Sequence, residues 1–83
     1  MIVGAQIRAG RAALNWSIEE LAERSGVSAR TIMRIEAVDG LTPGRAQTLS
    51  QIEAALVSGG IQFIGSPNDD PGIRILSQKK FGR

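Results

Sequence analysis

Apolar residues recur at intervals of three and four along the first part of the chain, and this spacing predicts an initial helix. Val3, Ile7 and Leu14 mark one face, with small alanines between them, so we expect about three turns that end near Asn15. The regular spacing stops there, and a new start signal follows.

A second helix is predicted after Ser17, because a serine followed three residues later by Glu20 is typical of a capping box. Leu21 and Ala22 mark its buried side. Gly26 supplies the left-handed residue that commonly ends a helix. The second helix is therefore short, and a tight turn follows it.

Ser28 repeats the cap signal only two residues after that glycine, and Ile32 and Ile35 mark the buried stripe of a third helix that ends near Glu36 or Ala37. A fourth helix is predicted after a loop at 38–42. Thr42 is expected to be its cap and Pro43 its first residue, and the glycines at 59–60 end it. Its expected buried face consists of Ala46, Leu49, Ile52 and Leu56.

Two short segments rich in β-branched and aromatic residues follow, IQFI at 61–64 and GIRIL at 72–76, separated by the turn-rich GSPNDDP. They predict a β-hairpin. The pattern as a whole predicts a mainly α fold of four to five helices with a short C-terminal β-hairpin. The expected division is a helical domain at 1–60, the hairpin at 61–76 and a flexible tail at 77–83.

The composition narrows the chemistry, because the 83 residues include neither Cys nor His. Disulfides, thiol nucleophiles and imidazole bases are excluded, and transition-metal sites are disfavoured. We expect no cofactor, no metal and no enzymatic activity. No apolar run approaches the ~20 residues of a membrane span, so we expect no membrane association and a cytoplasmic protein. The net charge of +2 indicates no partner by itself, and the distribution of charge decides more.

The segment QIRAGRAALNWSIEELAERSGVSARTIMRIE, with the helix predicted after it, resembles the phage-repressor-like (Cro- and XRE-type) helix-turn-helix family over residues 6–57. That resemblance implies a DNA-binding domain whose third helix enters the major groove. The residues that match the family pattern are Arg11, Ser17, Leu21, Ala22, Gly26, Val27, Ser28, Thr31, Ile32, Ile35 and Glu36.

The third helix carries the residues expected to read DNA. Arg30 and Arg34 lie four apart on the side away from Ile32 and Ile35, and a guanidinium can bind guanine O6 and N7 together. Alternatively, the two arginines only solubilise an exposed helix. Ser28 similarly has a plain role as a cap, and Arg45 as a solvated residue. The full set of expected DNA contacts is Ser17, Ser28, Ala29, Arg30, Thr31, Met33, Arg34 and Arg45.

Two further roles are implied by the resemblance or by position. Arg11 and Glu36 match positions that pair in this family as an ion bridge between the first and third helices. Trp16 precedes the cap of the second helix, where an apolar residue packs back onto the core. We expect all three residues to be structural.

Ile18 departs from the family pattern, since many relatives carry Gln there and use its amide to contact the DNA backbone. Ile18 cannot form that hydrogen bond. It either extends the core or, with Met33, forms an apolar patch that binds protein. Two functions follow: a transcriptional regulator, most simply a repressor that occupies a promoter, or an antiactivator that masks another transcription factor.

A homodimer is expected, because one helix-turn-helix reads few base pairs and a dimer sets two such helices about 34 Å apart on DNA. The hairpin is apolar on both faces, so Ile64 and Leu76 are expected near solvent, and its strand edge is open. Alternatively, the hairpin only covers the core of one chain. The residues expected to form the dimer are Ile61, Phe63, Ile64, Ile73, Ile75 and Leu76.

Overall fold

The structure, a computed structural model, describes residues 2–41 and 44–76. Its elements confirm the mainly α fold with a C-terminal antiparallel hairpin. The predicted cap at Thr42, the predicted helix start at Pro43 and the tail at 77–83 lie outside the described residues. In chain order the elements are α1 (Gly4–Ala13), α2 (Ile18–Ser25), α3 (Ala29–Glu36), α4 (Ala46–Ser58), β1 (Ile61–Ser66) and β2 (Asp69–Ile75).

The core lies where the four helices meet, and residues of the hairpin complete it. Ile32 and Ile35 of α3 are fully buried, as their spacing predicts, and Ile61 of β1 belongs to the same cluster. The hairpin packs against α1 and α4. The buried cluster consists of Ile2, Ile7, Leu21, Val27, Ile32, Ile35, Leu49, Ile52, Ala55, Leu56 and Ile61.

α1 begins where the chain passes close to the loop that follows α3. The N–H groups of Gly4 and Ala5 have no partner inside the helix and donate instead to the carbonyl oxygens of Gly40 and Asp39, at 3.1 and 3.2 Å. A Cβ on Gly4 would lie only 1.8 Å from the carbonyl oxygen of Val38. Glycine at this position lets the two backbones touch, which holds the start of α1 against the end of α3.

Two helix boundaries differ from the sequence prediction. α1 ends at Ala13 because Asn15 adopts the left-handed conformation, with φ of 60°. α4 begins at Ala46, because Arg45 immediately before it is still extended, with φ of −76° and ψ of 147°. Ala46, predicted on the buried face, is exposed since it stands at the very start of the helix.

Trp16 is half-buried and packs against the core, at the end of α4. A Cβ on Gly59 would lie 2.8 Å from Cη2 of Trp16 and 2.7 Å from Cδ1 of Leu14. The indole therefore rests directly on the backbone at the C-terminus of α4. The guanidinium of Arg24 lies 4.3 Å from the ring centroid, within the range of a cation–π interaction.

The strands of the hairpin are longer than predicted and extend into the segment GSPNDDP, which leaves only Pro67 and Asn68 in the turn. The pairing is irregular between Ile64 and Ser66, where Gly65 and Asp70 both have positive φ, so a β-bulge absorbs the unequal lengths. Beyond the bulge the register is regular. It pairs Ile64 with Gly72, Phe63 with Ile73, Gln62 with Arg74 and Ile61 with Ile75.

Gln6 joins the hairpin to α1 although it is polar and buried. Its Oε1 accepts from the N–H of Val3 at 2.9 Å, and its Nε2 donates to the carbonyl oxygens of Ile64 and Gly72 at 3.1 and 2.8 Å. All the hydrogen-bonding capacity of the amide is directed into the protein, which is why a buried glutamine is tolerated here.

One expectation about the hairpin surface is wrong in part. Ile64 is exposed as expected, but Leu76 is half-buried, and its N–H donates to the carbonyl of Gly60 at 2.8 Å. Ile75 is the exposed residue instead, with 61% of its surface accessible. Its cross-strand partner Ile61 takes the place against α1, and Ile75 is left at the margin of the packed face.

Candidate nucleic-acid interface

The turn between α2 and α3 is fixed by local hydrogen bonds. Gly26 adopts φ of 77°, and its N–H donates to the carbonyl of Ala22 at 2.9 Å, which ends α2. Val27 then points into the core, and its N–H donates to Oγ of Ser25 at 3.2 Å. The next residue, Ser28, caps α3. The turn therefore sets the angle between the two helices with a glycine, an apolar anchor and a cap.

α3 has one buried side and one exposed side. Ile32 and Ile35 are fully buried, whereas Arg30, Met33 and Arg34 are exposed. This division agrees with the helical spacing of the sequence. Ala29, which the sequence places on the outer side, is only half-buried, because it begins the helix beside the turn.

Arg30 and Arg34 are directed to solvent without a partner among residues 2–41 and 44–76: neither forms a hydrogen bond or an ion pair there. Residues four apart on a helix lie about 5–6 Å from each other at Cβ, so the two guanidinium groups can approach one ligand together. α3 therefore presents two free cationic, planar hydrogen-bond donors on its outer side.

The hydroxyl groups at the start of α3 are partly engaged with each other. Oγ of Ser28 accepts from the N–H of Thr31 at 3.2 Å and donates to Oγ1 of Thr31 at 3.0 Å. At the start of α2, Oγ of Ser17 accepts from the N–H of Glu20 at 3.0 Å. Both serines are exposed caps. Both helix starts also carry backbone N–H groups, which commonly bind phosphate.

Arg45 stands immediately before α4, exposed, and no partner for its guanidinium is found in the part of the chain that the structure describes. It is available for the contact with a phosphate that the sequence suggested.

Two arginines of α1 hold the far end of α3. Nε and Nη2 of Arg11 donate to the two carboxylate oxygens of Glu36, both at 2.9 Å, and Nη1 donates to the carbonyl of Trp16 at 3.0 Å. The ion pair implied by the family resemblance is thus present and bidentate. The hydrogen bonds to Glu36 raise the pKa of the Arg11 guanidinium above its ordinary value, although burial acts in the opposite direction. The Arg11 charge is therefore permanent at any ordinary pH.

Arg8 is the second of these arginines, and the sequence prediction missed it. Its guanidinium donates to the backbone carbonyl of Glu36 and forms an ion pair with Asp39 in the loop after α3. A cation at the C-terminus of a helix is favourable because the last carbonyl groups carry partial negative charge. Arg8 stands three residues before Arg11, so the helical spacing already placed both on one side of α1. Gln6 was missed as well, and no local pattern indicates its partners in the hairpin.

α2 carries three acids, of which one is paired with a neighbouring arginine. Glu20 forms an ion pair with Arg24 at 2.6 Å, whereas Glu19 and Glu23 are exposed. Glu20 also lies next to the Ser17 cap, in the first turn, where the helix dipole favours an acid. The net charge is therefore negative along α2 and positive along α3.

Ile18 is half-buried and packs against the core, which supports the plainer of its two interpretations. Met33 on α3 has 52% of its surface exposed. Ile18 therefore contributes little exposed surface to an apolar patch with Met33. Met33 remains beside the arginines, able to make an apolar contact.

The structure places Arg30, Met33 and Arg34 on the exposed side of α3, and it places Ser17 and Ser28 as exposed caps at the starts of α2 and α3. The group of dimer candidates lies elsewhere, on the hairpin, which packs on α1 and α4. Among residues 2–41 and 44–76, no cluster of acids is suited to a metal and no helix has the length and hydropathy to cross a bilayer.

Comparison with known proteins agrees with this geometry. A family model described as helix-turn-helix matches residues 7–42, which extend from within α1 to the loop after α3. No curated protein matches the chain. The matched segment contains both helices of the motif, the Arg11–Glu36 pair and the exposed arginines of α3.

Proposed function

Residues 7–42 match the helix-turn-helix family model, and from this match we propose that the chain is a DNA-binding regulator of the Cro/C1 type that binds double-stranded DNA sequence-specifically. In this proposal α3 lies in the major groove. Arg30 and Arg34 contact base edges, and the protein acts as a repressor by occupying a promoter.

The observation that carries the proposal is the freedom of the two α3 arginines. They are exposed and unpaired within the described residues, while Ile32 and Ile35 anchor the opposite side of the same helix in the core. Solubility alone requires charged residues on a helix, but it does not require two arginines on the same exposed face. In α3 the two guanidinium groups share one face, and the opposite face is fixed in the core. Arginine held in this way binds the O6 and N7 atoms of guanine with two hydrogen bonds.

Contacts to the DNA backbone are assigned to residues around α3. Ser17 and Ser28 stand at helix starts, where N–H groups and hydroxyl groups meet phosphate, and Thr31 is beside Ser28. Arg45 contributes a charge without a base contact. Ala29 and Met33 supply apolar contacts, for example with the methyl group of thymine.

The proposal includes a homodimer formed by the hairpin at 61–76, since two copies of α3 are needed to read a site of useful length. The exposed Ile64 and Ile75 support this assignment, and so does the packing of the hairpin on α1 and α4, because pairing through it leaves α3 open. The assignment also includes Ile61, Phe63, Ile73 and Leu76, of which Ile61 is buried and acts by supporting the strand from below.

A rival function, masking of another transcription factor, is favoured by one observation, the exposure of Met33 at the centre of the outer side of α3. The packing of Ile18 against the core weighs against it, because it removes half of the apolar patch on which that function depends. DNA binding accounts for the arginines as well as the methionine, so we prefer it.

Selection from random double-stranded DNA tests the proposed function directly. The wild-type protein is expected to enrich one two-fold symmetric sequence. Arg45→Ala should then weaken binding to all sequences alike and reduce the salt dependence by about one phosphate contact. Arg24→Ala, which removes the same charge from α2, is the matched control and should leave both the affinity for DNA and its salt dependence unchanged. Equal affinity of the wild-type protein for enriched and random DNA would overturn the proposal, and co-purification of a second protein without a shift of DNA at low salt would favour the rival.

A further inference from the structure

The outer edge of β2 carries main-chain groups without partners. Leu76 donates to Gly60, and in an antiparallel ladder such hydrogen-bonded pairs alternate with pairs whose N–H and C=O groups point away from the partner strand. By this alternation the main-chain N–H and C=O groups of Ile73 and Ile75 point away from β1. No backbone hydrogen bond to these groups from outside the hairpin is found within residues 2–41 and 44–76.

This open edge is short, because a bulge and a proline limit it at one end and the end of the strand limits it at the other. The β-bulge and the positive φ of Asp70 disturb the strand before Gly72, and Pro71 has no N–H to offer. The strand ends at Ile75. A regular edge of this length exposes two N–H and two C=O groups and cannot serve as a long template for unrelated strands.

We propose that the edge of β2 pairs antiparallel with β2 of a second copy, so that the two hairpins form one four-stranded sheet whose two-fold axis passes through Arg74. The inference rests on the homodimer in the proposed function and specifies the edge and the register. In this register Ile73 lies opposite Ile75 of the second copy and Ile75 opposite its Ile73. In each of these two pairs, each residue donates its N–H to the C=O of the other. The outward N–H and C=O groups of Ile73 and Ile75 are then all hydrogen-bonded.

The neighbouring registers satisfy fewer groups. An axis through Ile73 sets Ile75 opposite Pro71, which lacks a donor, and an axis through Ile75 requires residues beyond the end of β2. The register through Arg74 also covers Ile75, which is exposed by 61% in the single chain, with the Ile73 side chain of the other copy. Its cost is the placement of two exposed Arg74 side chains directly opposite each other, which opposes pairing.

That cost supplies a first test in the full chain. Arg74→Thr removes the repulsion without touching the main chain, so the dimer should tighten about two- to fivefold in sedimentation equilibrium. Added salt should tighten the wild-type dimer, because it screens the two charges. A weaker Arg74→Thr dimer, or a wild-type dimer that salt loosens, would overturn the register.

A single cysteine gives a sharper test, since the natural chain has none. Residues facing each other in a pair of this kind lie about 4.5 Å apart at Cα, within the range of a disulfide. Arg74→Cys should therefore cross-link to its own copy about a hundredfold faster than cysteines that meet by free encounter. Gln62→Cys is the matched control, because Gln62 is exposed and lies directly opposite Arg74 within the hairpin. It should not cross-link faster than free encounter.

The cross-linking rates distinguish the proposed register from the alternatives. Rapid cross-linking of Arg74→Cys alone supports the proposal, whereas faster cross-linking of Ile73→Cys or Ile75→Cys overturns the register. A dimer in sedimentation without any cross-link at these positions overturns pairing through this edge while leaving the proposed DNA binding intact. Failure of the wild-type protein to select a DNA sequence would refute the proposed function and leave the cross-link unaffected.

Discussion

Removal of the Glu36 carboxylate should destabilise the protein far more than removal of an exposed acid. Glu36 has 6% of its side chain exposed and binds Arg11 through both oxygens, while Arg11 has 23% exposed. Glu36→Gln keeps the size of the side chain but turns an amide N–H₂ toward the guanidinium, so a largely buried cation loses its counter-ion. Breaking a buried pair costs roughly 3–5 kcal/mol, and the partial exposure of Arg11 favours the lower end, about 3 kcal/mol.

The measurement is urea unfolding followed by the fluorescence of Trp16, the only tryptophan, whose carbonyl accepts a hydrogen bond from Arg11. A loss of about 3 kcal/mol corresponds to a decrease in Tm of roughly 12–24 °C for a domain of this size. Glu20→Gln is the control, because the Glu20–Arg24 pair is exposed and worth at most about 0.5 kcal/mol.

A double variant separates the missing counter-ion from lost packing. Arg11→Met with Glu36→Met removes both charges and keeps apolar volume, so it should be more stable than Glu36→Gln alone. The reasoning fails if Glu36→Gln is as stable as Glu20→Gln, or if the double variant is the less stable of the two.

The remaining predictions concern α1 and the hairpin. Gly4→Ala should lower the free energy of unfolding by about 3 kcal/mol or more, because its Cβ would overlap the Val38 carbonyl. Gly10→Ala in the same helix meets only ordinary contacts and should raise the free energy of unfolding by about 0.5–1 kcal/mol. Calorimetry of both variants checks this, and equal Tm values would contradict it. Gln6→Leu should lower the free energy of unfolding by about 2 kcal/mol, because it leaves the Val3 N–H without an acceptor and removes the two hydrogen bonds to the hairpin. Urea unfolding measures this loss, and hydrogen exchange in β1 and β2 should become faster. Unchanged exchange would refute the prediction.

The parts of the fold that the sequence predicted depend on neighbours in the chain. Ser17 and Ser28 each accept from an N–H three residues ahead, and the Gly26 N–H donates to a carbonyl four residues back. Such signals are complete within one turn of helix. The helix-turn-helix and the outward position of Arg30 and Arg34 follow from them together with the spacing of buried residues.

The parts that were missed depend on contacts between distant segments. Gln6 donates to carbonyl groups 58 and 66 residues away, and Arg8 reaches the end of α3 and the loop behind it. The exposure of Ile75 is likewise set by tertiary placement. Spacing in the sequence shows that such a residue lies on a certain face, but not what that face meets.

The central claim is that the outer side of α3 reads bases, and a double-mutant cycle between protein and DNA tests it most directly. Affinities of wild-type protein and Arg34→Ala, and likewise Arg30→Ala, are measured for the selected site and for each of its single-base changes. Each arginine is expected to show a coupling of about 1–3 kcal/mol with one guanine and none with the other positions. Equal losses at every position, or no loss at all, would contradict the account.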